Sequence, residues 1–422
     1  LFLSIPLGGG VMGYAAMFGA LLLVSLGTGL FKGNLQVMVG NLYDAPELSA
    51  KRDSGFSIFY MAINIGALFA PTAAVRIKEW AEHSLGYSGN DAYHFSFAVA
   101  CVSLIVSMMI YYAFRSTFRH VEAGAGKSKK TDTTVATEEL TPQQTKERIV
   151  ALCLVFAVVI FFWMSFHQNG LTLTFFADEF VSPKSEGVQT MAFDVINLVM
   201  IIFMIYSIMS FFQSKTSKAK LISTVVFLAA VGVLVYKYHN IGGPVDVSAP
   251  IFQQFNPFYV VALTPVSMAI FGALAAKGKE PTAPRKIAYG MIIAGSAYLL
   301  MVLASRGLLT PNEQAAAKAA GETVPFASGN WLIGTYLILT FGELLLSPMG
   351  ISFVSKVAPP KYKGTMMGGW FVATAIGNLL VSVGGFLWND IPLTIVWSVF
   401  IVLCLLSAGF MFLMMKRLEK VA

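Results

Sequence analysis

Residues 13–42 read GYAAMFGALLLVSLGTGLFKGNLQVMVGNL, a largely apolar run whose only charge is Lys32. A helix of this length exceeds the roughly 20 residues that cross a bilayer core of about 30 Å. The run therefore predicts a membrane-spanning helix. A cation at membrane depth costs about 2.5–3.5 kcal/mol on insertion scales, so it normally faces a cavity or a partner. Lys32 is thus the first residue that we expect to contact a substrate.

The composition repeats this apolar pattern along the whole chain. Of its 422 residues, 56% are hydrophobic and only 12% are charged, whereas soluble domains carry about 25% charged residues. We count eleven apolar spans, which predict an all-α polytopic membrane protein. The approximate spans are 13–42, 56–76, 94–114, 149–177, 191–213, 219–237, 257–276, 287–304, 329–352, 365–388 and 392–414.

The net charge of +7 is carried mostly by short loops and does not indicate a nucleic-acid partner. Every second loop is rich in basic residues, beginning with Lys51 and Arg52. Loops of this kind face the cytoplasm, so we expect a multi-pass protein of the inner (plasma) membrane whose C-terminus is cytoplasmic. We interpret these charges as topology signals and not as sites. The cysteines, Cys101, Cys153 and Cys404, lie in apolar spans and have no metal-ligand spacing.

A long polar stretch divides the chain into two parts. Residues 116–147 are dominated by Ser, Thr, Lys and Glu and predict a cytoplasmic linker. Within it, Thr141-Pro142-Gln143-Gln144 is typical of a helix start. The expected domains are residues 1–115, the remainder of an N-terminal bundle, and residues 148–422, a C-terminal bundle. A second polar stretch, 310–330, includes an Ala-rich piece that predicts a short helix.

Polar side chains recur at helical spacing in six spans, which places them on one face of each helix. A lone Asn, Ser or His in a membrane helix more often stabilises helix packing than binds a ligand, so both interpretations stay open. The faces are Ser25, Thr28, Lys32 and Gln36; Ser57, Tyr60 and Asn64; Trp163, His167, Gly170, Thr174 and Asp178; Gln253, Asn256, Thr264 and Ser267; Tyr336, Thr340, Glu343 and Ser347; and Trp370, Thr374 and Asn378.

Lys32 and Glu343 are opposite charges at membrane depth on separate helices. Such charges are costly unless they pair or face water, which favours a functional role. A cavity with a cation on one wall and a carboxylate on another suits a zwitterion. Protonation of the carboxylate would release the cation, so the pair can also couple transport to protons. Pro348, in the same span as Glu343, can kink that helix.

With these residues, the chain resembles the proton-dependent oligopeptide transporter (POT/PTR2) family of the major facilitator superfamily, in a bacterial-type form. The motifs that carry the resemblance are GTGLFK at 27–32, FYMAINIG at 59–66, FNP at 255–257 and GELLLSPMG at 342–350. The resemblance implies a proton-coupled symporter that imports di- and tripeptides by alternating access. It also implies a monomer that needs no cofactor beyond the coupling proton.

The resemblance further implies roles for individual residues. Lys32 would meet the peptide carboxylate, while Glu343 would meet the peptide amine, pair with Lys32 and take up protons. His167 stands where many members have a carboxylate, and histidine changes charge near physiological pH, so we expect a second proton-coupling residue there. The other implied substrate-binding residues are Tyr60, Asn64, Trp163, Asn256, Ser347 and Trp370.

Two departures from the family pattern shape the expected fold. The helix 1 motif Glu-x-x-Glu-Arg is absent, so we expect a fragment that lacks helices 1, 2 and most of 3 and does not transport alone. An extra two-helix hairpin is expected at about 190–238, between family helices 7 and 8.

Alternative functions are a related transporter of another anion, such as nitrate or a conjugated metabolite, and a membrane-embedded enzyme or scaffold. An enzyme would need a nucleophile–base or metal cluster at membrane depth, and the sequence offers only His167 as a buried base. A scaffold would not need Lys32 and Glu343 on facing helices. We therefore expect no catalytic residue and no metal site.

Overall fold

The computed structural model describes residues 10–87, 90–121 and 140–421. Most of the expected linker, residues 122–139, lies outside this range. The helices are α1 (Val11–Leu42), α2 (Pro46–Ser49), α3 (Arg52–Leu85), α4 (Asn90–Ala113), α5 (Arg115–Phe118), α6 (Pro142–Phe166), α7 (Thr172–Phe180), α8 (Val195–Gln213), α9 (Ser217–His239), α10 (Phe255–Ala276), α11 (Ala283–Ala304), α12 (Pro311–Ala319), α13 (Gly329–Val357), α14 (Lys363–Leu380), α15 (Ser382–Phe386) and α16 (Leu393–Val421). Two short strands, β1 (Lys184–Ser185) and β2 (Val245–Asp246), pair antiparallel.

Within the described residues, eleven helical segments are long and apolar enough to cross a membrane, which confirms the all-α polytopic prediction. The span predicted at 149–177 begins earlier, at Pro142, because Thr141 and Gln144 form a capping box at that point. The predicted Ala-rich helix is α12, which also begins with a capping box, between Thr310 and Glu313. Both helix starts follow from the local sequence.

The buried core lies in the C-terminal part of the chain, where α11 packs along α13 and α16, and α6 packs along α14 and α16. The α11–α13 contact is close because Gly290 faces Gly342: a Cβ on either would lie 2.6 or 2.7 Å from the other residue's carbonyl oxygen. Small residues at helix crossings are the usual basis of packing in membranes. The contact fixes the position of the next residue, Glu343.

The expected two-helix hairpin is present as α8 and α9, after α7 and before α10. Asp194 caps α8 through the backbone N–H of Ile196 (2.8 Å) and pairs with Lys237 of α9. The α8 helix packs against α10 and also contacts α3. Tyr206 of α8 donates a hydrogen bond to the carbonyl oxygen of Val261 in α10 at 3.1 Å. Through its cap on α8 and its pair with Lys237, Asp194 has a structural role in this hairpin.

One end of the helices, here called the basic end, carries Arg52, Lys286 and Lys363 and joins the N-terminal part to the C-terminal part. Arg52 donates hydrogen bonds to Asp44 Oδ1 (2.6 Å) and to Ser355 Oγ of α13 (3.2 Å). Lys363 of α14 donates to Asp44 Oδ2 at 3.0 Å. These contacts hold α1 and α3 against α13 and α14.

A second set of contacts at the basic end surrounds Lys286, whose residue exposure is 2%. Its Nζ lies 2.6 Å from Glu280 Oε1 and 3.4 Å from Asp53 Oδ2 of α3. Ser352 of α13 donates its hydroxyl to the other oxygen of Asp53. A buried cation is costly without partners, and Lys286 has two. The basic-end charges therefore join separate parts of the chain, in addition to indicating the membrane topology.

Asp44 keeps its charge in this arrangement. Burial by itself raises the pKa of its carboxyl, but hydrogen bonds and charges from Lys363 and Arg52 outweigh burial and lower the pKa below the ordinary value. The stabilisation from a carboxyl with a lowered pKa is lost only as the pH falls through that lowered pKa. The Asp44 contacts therefore persist at mildly acidic pH.

Candidate functional site

The candidate site is built around a buried carboxylate on α13. Glu343 is 3% exposed. The Tyr60 hydroxyl of α3 donates to Glu343 Oε1, and Asn256 Nδ2 of α10 donates to Glu343 Oε2 at 2.7 Å. Asn256 also donates to Thr340 Oγ1 at 3.0 Å. Three helices thus bring together three residues that the sequence predicts for the site.

Both recorded partners of the Glu343 carboxylate are neutral, and within the described residues Glu343 forms no ion pair. Hydrogen bonds to a charged group contribute about 1.5–3 kcal/mol each, which offsets only part of the several kcal/mol that burial of an ion costs. A carboxylate held in this way can still accept a proton or a cationic group of a ligand.

Lys32 lies away from this carboxylate. Its side chain on α1 is exposed, and among the residues that the structure describes it forms no ion pair. The implied Lys32–Glu343 pair is therefore not formed in this structure, where Tyr60 and Asn256 are the recorded partners of the two Glu343 oxygens. Gln36, one turn further along the same predicted face, is buried, and its Oε1 has no hydrogen-bond partner in the part of the chain that the structure describes.

Ser347 and Asn64 lie one helical turn from Glu343 and Tyr60, respectively. Ser347 is 1% exposed, and its side chain lies near the Tyr60 hydroxyl. Asn64 donates its side-chain N–H to the backbone carbonyl of Tyr60 at 3.0 Å. Asn64 therefore supports its own helix in this state, and Ser347 lies beside the contact between Tyr60 and Glu343.

Trp163 and His167 form a stacked pair at the end of α6. Their ring centroids are 4.8 Å apart, with 17° between the ring planes. Among the described residues, Trp163 Nε1 and His167 Nδ1 are buried and have no hydrogen-bond partner. His167 also lies near the side chain of Asn378 in α14. Buried polar atoms without partners are rare in native proteins, so these nitrogens are the atoms that a ligand or water would satisfy.

Trp370 is part of the packed core. It is 2% exposed and contacts Phe156 edge-on, with ring centroids 6.4 Å apart. It also lies against Gly350 of α13, where an added Cβ would come within 2.0 Å of the indole ring. This packing favours the structural alternative for Trp370 over direct contact with a ligand in this state.

The polar face predicted in the fourth span is interrupted. The chain leaves α6 before His167 and enters α7 after Leu171, so Trp163 and Thr174 lie on different helices. The sequence signal for this break is Asn169-Gly170, a pair typical of turns. In contrast, Pro348 lies inside α13, which continues from Gly329 to Val357.

The described residues include no group of three or more His, Cys, Asp or Glu that could hold a metal. The three cysteines are free, and Cys404 is the buried one among them. The described site offers hydrogen-bonding side chains and includes the titratable side chains of Glu343 and His167.

Sequence comparisons identify similar proteins. A family model described as PTR2, the POT family, matches residues 4–137 and 237–396. The chain is 26% identical over 390 residues to the peptide transporter YePEPT of Yersinia enterocolitica, covering 87% of this chain and 67% of that protein. It is 28% identical over 391 residues to a di-/tripeptide transporter of Lactococcus lactis, covering 87% and 68%. Residues 138–236, which include Trp163, His167 and the α8–α9 hairpin, lie between the two matched segments.

Solved structures with a similar fold include a peptide transporter POT in complex with sulfate. It has a TM-score of 0.61 at 20% identity, over 100% of this chain and 78% of that one. A POT family transporter in complex with 5-aminolevulinic acid has a TM-score of 0.58 at 17% identity, over 99% and 79%. At this identity the likeness concerns the fold, and it confirms the expected major facilitator architecture.

Proposed function

Since this chain belongs to the POT family, we propose that it is a secondary transporter that imports di- and tripeptides together with protons. The observation that carries the proposal is the buried Glu343 carboxylate, whose recorded partners among the described residues are neutral donors from two other helices. Such a group binds the ammonium of a peptide or a proton, and exchange between these two ligands couples their transport.

A peptide is a zwitterion, and the predicted site residues match its groups. Lys32 is a cation without an ion-pair partner among the described residues, so it is available to a peptide carboxylate. Tyr60, Asn64, Asn256 and Ser347 offer hydrogen bonds to the peptide bond. Trp163 would offer its ring to peptide side chains, and Trp370, which is packed against Gly350 in this structure, would do so only in another state of the transport cycle.

Alternating access is the proposed transport mechanism, with residues 1–115 and 148–422 as the two bundles and 116–147 as the linker. The contacts of Arg52, Asp53 and Asp44 with the C-terminal part would hold the basic end closed. Since basic loops face the cytoplasm, we assign the basic end and the C-terminus to the cytoplasmic side of the inner membrane. We propose a monomer whose coupling ion is the proton, with no cofactor.

The substrate class is tested by competition against uptake of a labelled alanine dipeptide into proteoliposomes that hold the protein at its natural length. We expect unlabelled di- and tripeptides to compete, and nitrate, a glucuronide conjugate and a C-terminally amidated dipeptide to compete poorly. Liposomes without protein give the background. Competition by nitrate or the conjugate, without competition by dipeptides, would assign the protein to the alternative anion class.

His167→Gln tests the proposed second proton site. Histidine can take up and release a proton, whereas glutamine cannot, so the variant should change the pH dependence of dipeptide uptake. His83→Gln, at an exposed histidine of α3, is the matched control and should retain the native profile. An unchanged pH profile and unchanged peptide-driven proton influx in His167→Gln would remove His167 from the mechanism.

A further inference from the structure

The helix that carries His167 is broken immediately after the candidate site. The α6 helix ends at Phe166, a 3-10 turn covers His167–Gly170, and the backbone of Leu171 is non-helical (φ −125°, ψ −86°) before α7 begins. A break in a membrane helix leaves carbonyl groups without their usual donors, and these must be satisfied internally. The Tyr298 hydroxyl of α11 donates to the carbonyl oxygen of Ser165 in this region.

The Gln168 side chain forms hydrogen bonds on both sides of the break between α6 and α7. The residue is fully buried, at 0% exposure. Its Nε2 donates to the carbonyl oxygens of Met164 (3.2 Å) and Val381 (3.1 Å). Its Oε1 accepts a hydrogen bond from the Thr172 hydroxyl at 3.0 Å. One amide therefore connects the end of α6, the start of α7 and the α14–α15 junction.

The α14–α15 junction is shaped to receive this amide. Gly384 lies against Gln168, and a Cβ at that position would come within 2.2 Å of Oε1 and 2.9 Å of Nε2. The carbonyl of Val381 also accepts the backbone N–H of Gly384 at 3.0 Å. Any residue larger than glycine would displace the amide, so the fit depends on both sides of the contact.

The consequence concerns His167, the residue before Gln168. The His167 ring stacks on Trp163 and contacts Phe166 edge-on, and Asn378 lies near it on α14. These recorded neighbours from α6 and α14 are uncharged. The direction of the ring therefore depends on packing and on the backbone of the turn, and Gln168 anchors that turn.

We propose that Gln168 is a positioning residue that fixes the turn after α6 and thereby holds the partly buried His167 ring in its stacked orientation. This inference rests on the proposed role of His167 in proton uptake for its functional consequence. Loss of the amide contacts releases the turn, exposes the ring and alters the pH dependence of transport.

Three variants test the proposal, and each weakens the contacts of the Gln168 amide in a different way. Gln168→Met keeps the length of the side chain and removes all three hydrogen bonds. Gly384→Ala leaves Gln168 in place and displaces its amide. Thr172→Val removes a single hydrogen bond at nearly constant volume, so it keeps the test available if the stronger variants do not fold. Gln143→Met, at an exposed position near the start of α6, is the matched control.

The direct readout is the rate at which diethyl pyrocarbonate modifies His167, followed by mass spectrometry of the purified protein. We expect several-fold faster modification in Gln168→Met and Gly384→Ala, a smaller increase in Thr172→Val and no change in Gln143→Met. Native modification rates in the folded variants would overturn the positioning role.

The pH profile of dipeptide uptake separates this inference from the proposed function. Gln168→Met should alter the pH profile while His167 is present, and it should have no further effect on the profile in the His167→Gln background. Faster modification of His167 with an unchanged profile in both single variants would retain the positioning role and reject proton uptake at His167. A uniform loss of uptake at every pH, with a native modification rate, would mark Gln168 as structural only.

Discussion

Glu343→Gln is expected to abolish proton-driven accumulation of a dipeptide, because an amide at this position does not ionise and so cannot bind and release the coupling proton. The site itself should survive the change. Glutamine can still accept the Tyr60 hydroxyl at its carbonyl oxygen, and Asn256 can turn its own oxygen toward the new amide, since the Thr340 hydroxyl can act as a donor. Exchange of labelled for unlabelled dipeptide across the membrane, which needs no net proton movement, should therefore persist at raised dipeptide concentration.

Both activities can be measured in the same proteoliposomes, with an imposed proton gradient for accumulation and equal pH for exchange. Glu322→Gln is the matched control, because Glu322 is an exposed carboxylate just after α12 and is not one of the predicted site residues. Accumulation at the native level in Glu343→Gln would exclude Glu343 as the coupling carboxylate.

Lys32→Ala is expected to reduce uptake of a dipeptide to background at concentrations near those that half-saturate the native protein. A hydrogen bond to a charged group contributes about 1.5–3 kcal/mol, which corresponds to roughly a ten- to hundredfold loss of affinity. The loss should be specific to the peptide carboxylate. Native protein should prefer a free dipeptide over its C-terminal amide, whereas the variant should bind the two with similar, weak affinity.

Binding of the two peptides to purified protein measures this preference directly. Lys32→Arg keeps the charge and should retain part of the preference, and Lys215→Ala, at an exposed lysine between α8 and α9, should leave it unchanged. A Lys32→Ala protein that still prefers the free carboxylate would place the carboxylate contact elsewhere.

Most of the fold was accessible from the sequence because membrane helices must satisfy their backbone internally and remain apolar over a fixed length. Length and hydropathy therefore locate α1 or α16 without any knowledge of their neighbours. The helix starts at Thr141 and Thr310 were predictable for a local reason, the Thr-Pro-x-Gln and Thr-Pro-x-Glu capping patterns. The break after α6 had a local signal in Asn169-Gly170, but its stabilisation by Gln168 depends on Val381, more than 200 residues away.

The candidate site was only partly predictable for a similar reason. Periodicity places Tyr60 and Glu343 on polar faces, but it cannot determine which faces meet or in which conformational state. The structure brings Tyr60 and Asn256 to Glu343 and leaves Lys32 exposed. The burial of Lys286 at the basic end was also not predictable, because its partner Asp53 lies on a distant helix and a basic loop residue is usually a topology signal.

The central claim is that peptide entry is coupled to proton entry through Glu343. The most direct measurement is the pH inside proteoliposomes loaded with a pH-sensitive dye, recorded after a dipeptide is added outside under an inside-negative membrane potential. We predict rapid internal acidification with the native protein and none with Glu343→Gln. Dipeptide uptake by the native protein without internal acidification would contradict this account.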